Sequence, residues 1–153
     1  MALSAVPGVE SLWSLGAPLL EGPLWHAADQ ALWFVCIKTP AIYRLDPATG
    51  AQQSWTAPAQ VGFVVPVAGE RRMIAGLQTG LHLFDPSDGS FALLADPEPG
   101  LPGNRLNDAV VDPSGRLWFG SMDDAEAAPT GHFYCLDGSE LRAVGGPVPI
   151  TNG

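Results

Sequence analysis

Residues Ile42 to Gly50 read IYRLDPATG, Leu81 to Gly89 read LHLFDPSDG and Phe133 to Ser139 read FYCLDGS. Each is a short apolar stretch ending in Leu or Phe, then an aspartate, then residues that favour a chain reversal. Asp accepts hydrogen bonds from the turning backbone, Pro presets φ and Gly takes up positive φ without a Cβ clash. The aspartates Asp46, Asp85 and Asp137 are 39 and 52 residues apart. A period of about 40 to 50 residues with several strands in each unit is the pattern of propeller blades. A second echo pairs LWFVCI from Leu32 with LWFGSM from Leu117.

Outward from these repeats, strand-length apolar runs recur at Ala31 to Ile37, Ala41 to Leu45, Val61 to Val67, Met73 to Leu77 and Leu81 to Phe84. They continue at Phe91 to Ala95, Ala109 to Val111, Arg116 to Gly120 and His132 to Leu136, with a further turn at Asp112-Pro113-Ser114-Gly115. No stretch sustains a helical period. The expectation is an all-β chain forming one domain over residues 1–153, built of about three blades. Closed propellers have about 4 to 8 blades, so such a stack has two uncovered sides and the chain is expected to be incomplete.

Composition narrows the function classes. Apolar residues make up 46% of the 153-residue chain and charged ones 15%, which excludes a disordered polyelectrolyte. Gly and Pro are abundant, at 18 and 15 residues, as a fold of short strands and tight turns requires. Sixteen acidic against seven basic side chains give a net charge of -9 without any Lys/Arg cluster. That surface repels phosphate backbones and anionic lipid, so neither nucleic acid nor a membrane is an expected partner. Cys36 and Cys135 lack metal-type spacing and read as free thiols in a reducing compartment. The first twenty residues lack a basic region and are interrupted by Pro7, Gly8 and Glu10, unlike a signal peptide. A cytoplasmic location is expected.

Four places carry residues that strand packing alone does not require: Glu21-Gly22-Pro23-Leu24-Trp25, Asn104-Arg105-Leu106-Asn107-Asp108, Ser121-Met122-Asp123-Asp124 and Ile150-Thr151-Asn152-Gly153. In the first, an acid precedes two turning residues. In the second, which enters a strand, Arg105 and Asn107 are two apart and project from one face while Leu106 points the other way. A guanidinium fork beside a carboxamide suits a polyhydroxylated or carbonyl-bearing ligand. The acids of the third follow a strand, and the Asn-Gly of the fourth is by itself a hairpin turn.

Together and in this order these pieces resemble the gluconolactonase and regucalcin-like (senescence marker protein) family of six-bladed propellers, and its bacterial sugar-lactonase branch in particular. The matching stretches are LLEGPLWHAADQALWFVCIKTPAIYRLDPATG, AGLQTGLHLFDPSDG, RLNDAVVDPSGRLWFGSMDD and PITNG, covering about residues 18 to 153. The resemblance implies the N-terminal half of such a ring, with Glu21 and Asn152 as metal ligands and Arg105 and Asn107 on the sugar lactone. An acidic substrate contact falls on Asp124 or Glu126. The family's third ligand, an Asp that also serves as general acid or base, lies in a later blade, so no catalytic residue is expected in this chain. Cys36 stands where the family has Asp, on what reads as the first blade's inner strand. His26, His82 and His132 read as structural.

The implied activity is metal-dependent hydrolysis of a sugar lactone to the aldonic acid. Hard oxygen donors suit one divalent ion, Ca²⁺, Mg²⁺ or Mn²⁺, and tolerate Zn²⁺ or Fe²⁺. The isolated chain is expected to be inactive, because an axial site draws ligands from all round the ring. Two alternatives stand beside this one. The first is a metal- or ligand-binding propeller without catalysis. The second is a split-gene half that needs a complementary half-propeller or self-association.

Overall fold

A computed structural model describes residues 8–153. Twelve strands, β1 to β12, follow one another: β1 (Leu20–His26), β2 (Ala31–Cys36), β3 (Ala41–Leu45), β4 (Gln52–Thr56), β5 (Val61–Pro66), β6 (Met73–Leu77), β7 (Gly80–Asp85), β8 (Ser90–Ala95), β9 (Asn104–Val111), β10 (Leu117–Asp123), β11 (Gly131–Asp137) and β12 (Glu140–Val148). They form three four-stranded antiparallel meanders, β1 to β4, β5 to β8 and β9 to β12. These are the blades that the aspartate-turn repeat predicts. Asp46 ends β3 by accepting the N–H of Ala48 at 2.9 Å, and Asp85 does the same for Ser87 at the end of β7. Gly50 and Gly89 close those two turns at φ 74° and 75°, a region that a side chain disfavours.

The core lies between the sheets. Trp33, Val35, Ile37 and Ile42 of the first blade pack on Val61, Val64, Met73, Ala75, Leu77 and Phe84 of the second. Phe63, Val65 and Leu81 of the second pack on Leu106, Leu117, Phe119 and Tyr134 of the third. Strand β5 thus sends Val61 and Val64 to one neighbour and Phe63 and Val65 to the other. A strand covered on both faces reads as a continuous apolar run, which is why VGFVV shows no alternation. Trp33 stacks on Trp55 with ring centroids 5.4 Å apart, and Phe84 stacks on Phe91 at 4.9 Å. Ile42, fully buried in the first seam, sets a small test. Ile42→Val is expected to lower stability by about 1 kcal/mol in urea denaturation with the m value unchanged.

Three strands escaped the sequence reading. The Gly22-Pro23 pair reads as a turn but sits within β1, where the register with β2 shifts between Glu21 and Leu24. A bulge accommodates both residues without ending the strand. Strands β4 and β12 are outermost and mostly exposed, so they carry little apolar pattern. Two strands are also longer than expected. β9 starts at Asn104, which puts Arg105 and Asn107 inside it, and β10 runs on to Asp123, so Ser121 to Asp123 are strand rather than loop. Cys36 is on the second strand of its blade, not the inner one as expected, and its thiol is fully buried and unpaired. It packs there as a small apolar group.

Candidate functional site

The inner strands β1, β5 and β9 run side by side because glycine lets their backbones touch. A Cβ on Gly22 would lie 3.3 Å from the carbonyl oxygen of Gly62, and one on Gly62 would lie 2.3 Å from that of Leu106. This approach puts Glu21 and the Arg105–Asn107 face near the starts of β1 and β9, on either side of β5.

On β9 the expected geometry holds: Leu106 is buried in the seam with the second blade, and Arg105 donates from Nη1 to Asn107 Oδ1 at 2.6 Å. The bulge opposite Gly120 and Ser121 leaves that contact intact. Asn107 Nδ2 donates to the carbonyl oxygen of Thr151 at 2.5 Å and to Asn152 Oδ1 at 3.3 Å. Thr151 is buried and donates from Oγ1 to the Ser121 carbonyl, and Asp108 Oδ2 accepts the Gly153 N–H at 3.0 Å. Asn152 is therefore held next to Asn107 by contacts on both sides of it in sequence. A side chain at Gly120 would collide with Thr151, so that glycine makes room for the segment.

Asp124 is where the three blades meet. Its Oδ1 accepts from Lys38 Nζ at 2.6 Å and Arg105 Nε at 2.7 Å, and its Oδ2 accepts from Gln60 Nε2 at 2.8 Å. Lys38 belongs to the first blade, Gln60 to the entry of the second and Arg105 to the third. Burial pushes the Asp124 carboxyl up, the largest single influence, but the three donors together outweigh it and bring it down to about 2. Of the two acids the sequence left open, Asp124 enters the cluster. Glu126 is exposed and sits at φ 55° in the following turn. Asp123 directs its carboxylate to the N–H groups of Ala125, Ala127 and Ala128 in that same turn.

Beneath this layer lies Glu98, its carboxylate almost fully buried. It accepts from Ser121 Oγ at 2.6 Å, Tyr134 Oη at 2.8 Å and Asn104 Nδ2 at 2.9 Å. Burial and the Glu98 carboxylate both push the Tyr134 phenol above its ordinary range. Lys38, Gln60 and Glu98 were missed by sequence reading. Each stands alone among turn residues, and no spacing in the chain marks it. Of the histidines, His132 is half-buried with Nδ1 3.5 Å from Glu98 Oε1 and close to the Thr130 carbonyl, while His82 is buried against the Gly80 carbonyl and His26 faces Asp29.

The donors for a cation are few. The Glu21 carboxylate is exposed and makes no hydrogen bond among the described residues, and Asn152 offers a carboxamide oxygen that also accepts from Asn107. No three His, Cys, Asp or Glu residues gather into a metal cluster among the described residues. In kind, a free carboxylate and a carboxamide oxygen fit a hard divalent ion. In number they supply only part of a shell that takes about six to eight oxygens for Ca²⁺.

The profile of the family described as SMP-30/Gluconolactonase/LRE-like region matches residues 19–153. The chain is 30% identical over 135 residues to a 6-deoxy-6-sulfogluconolactonase of Pseudomonas putida, covering 87% of this chain and 46% of that protein. It is 31% identical to an L-arabinolactonase of Azospirillum brasilense, covering 76% of this chain and 39% of that one. The fold superposes on a crystal structure of a calcium-binding regucalcin from Agrobacterium tumefaciens with a TM-score of 0.82 at 27% identity, covering 88% of this chain and 45% of that one. The chain thus spans less than half the length of these relatives.

Proposed function

The chain belongs to the SMP-30/gluconolactonase/LRE-like family, and on that premise we propose that it supplies the sugar-binding side of a sugar-lactone hydrolase together with part of a divalent-metal shell. The observation that carries this reading is the Arg105–Asn107 pair, held on one face of β9 and joined by hydrogen bonds to the Thr151-Asn152 segment. Two relatives named as lactonases support the substrate class.

Arg105 uses its Nε–H on Asp124 and one Nη1–H on Asn107. Three of its five N–H groups are then left for the hydroxyl and ring oxygens of a sugar. Its burial fixes the fork before substrate arrives, which is how positioning lowers the barrier. Glu21 and Asn152 would hold part of the shell of a divalent ion, which would supply positive charge to stabilise the carbonyl oxygen under attack. In the net reaction a water oxygen bonds to the lactone carbonyl carbon, the ring C–O bond breaks, and the aldonic acid is released. Asp124 does not move the proton: three donors keep it ionised, and so low a pKa makes it a poor base. That proton passes through a group outside this set.

The test is acid release from glucono- and arabinonolactone, with and without added divalent ions. It is run on the 153-residue chain and on a longer protein that carries it with further blades. The longer protein is expected to turn over and to stop on exhaustive chelation, and the chain alone to stay at the rate of buffer. Turnover that survives chelation would sink the metal assignment. Lactone binding without turnover in the longer protein would favour a binding propeller instead.

A further inference from the structure

We propose that Lys38 and Arg105 form an anion-accepting subsite, and that the lactone this protein takes carries a negatively charged substituent, a carboxylate or a sulfonate, away from its reacting carbonyl. This rests on the reading above that the Arg105–Asn107 face meets the sugar.

Two of the seven basic side chains of a chain with net charge -9 meet on a single carboxylate. Asp124 neutralises one of them, so the trio is left with one positive charge. Asp123, the nearest acid in sequence, is turned onto its own loop, and Glu126 is exposed beyond it. Both cations keep unused donors: two of the three on the Lys38 ammonium and three of the five on the Arg105 guanidinium. Lys38 is also accessible, its side chain 42% exposed against 5% for Arg105. Its stem runs from the first blade while its charge lies at the site, where an arriving oxyanion reaches it without displacing protein. A purely structural pin between the blades needs neither the spare donors nor the exposure. Gln60 holds the other oxygen of Asp124, which leaves Oδ1 to both cations.

The test uses two ions inert to hydrolysis, glucarate with a carboxylate at each end and gluconate with one, titrated calorimetrically into the 153-residue chain at low ionic strength, where screening is weakest. The chain is expected to bind glucarate about 10-fold more tightly than gluconate. K38M should reduce that ratio to about 2-fold or less, and K38R should restore it. The ratio is insensitive to the folded fraction, which scales both affinities alike, so a destabilised variant still gives an answer. Equal affinities in the unmodified chain, an unchanged ratio in K38M, or binding of neither ion below about 10 mM would each overturn the proposal. Failure of the lactonase reading shows separately, as absent acid release by the longer protein while the ratio persists.

Discussion

Gly62→Val is expected to cost about 4 kcal/mol of folding stability, above the usual range of about 1 to 3 kcal/mol for an overpacked core position. The reason is what the new Cβ meets. It falls 2.3 Å from the Leu106 carbonyl oxygen and 2.6 Å from that of Asn107. Both are backbone atoms of a strand hydrogen-bonded to β10, so neither can swing aside as a side chain does. The inner strands must part, and Phe63 and Leu106 lose their seam. Against a total stability of about 5 to 15 kcal/mol such a loss removes a large fraction. Urea denaturation checks it. A shift worth less than about 1 kcal/mol would mean that β5 and β9 do not approach as closely as described. Gly62→Ala should fall between the variant and the parent, since it adds the clashing carbon but not the two methyls.

Asp124→Ala is the second large effect, with an expected loss of about 3 kcal/mol. Arg105, whose side chain is 5% exposed, is left with no carboxylate, and a buried cation stripped of its partner is costly. Lys38 and Gln60 lose their acceptor at the same time. Asp124→Asn keeps an acceptor and should lose less. The same group sets an acid limit. Its folded pKa, about 2, lies below the value near 4 of an unfolded aspartate. Its contribution is therefore complete above that unfolded value and disappears as the pH falls through about 2. Stability measured against pH should drop by about 2 kcal/mol over this window in the parent. In Asp124→Asn that part of the drop should vanish, and an unaltered curve would remove Asp124 from the network.

The fold was legible because its signals are local. Asp46 and Asp85 of the repeat accept hydrogen bonds from the backbone of their own turns, as does Asp112 of the further turn. The residues that mark the first two blades thus also make their turns, while Asp137 makes no such bond among the described residues. The limits of legibility have physical causes. Outer strands β4 and β12 bury little, so selection for apolar alternation there is weak, and β1 hides behind the bulge at Gly22-Pro23. At the site, the same-face relation of Arg105 and Asn107 followed from strand period alone. The convergence on Asp124 did not, because Lys38 and Asp124 are 86 positions apart and only the stacking of three blades brings them together. Family resemblance named Glu21 and Asn152, yet their surroundings give two oxygen donors and not a complete shell.

The consecutive order of strands within each meander also has a kinetic meaning. Every ladder joins strands that follow one another along the chain, so each blade closes short loops and can acquire its hydrogen bonds early and on its own. The contact of Asp124 with Arg105 lies within the third blade, but those with Gln60 and Lys38 reach across 64 and 86 positions and form only when the blades have docked. The Lys38 and Gln60 arms of the cluster are thus assigned to a late event of folding and to an early loss on partial opening. A chain in which the first blade comes loose keeps most of its secondary structure, and the Arg105–Asn107 pair, while losing the Lys38 arm of the cluster.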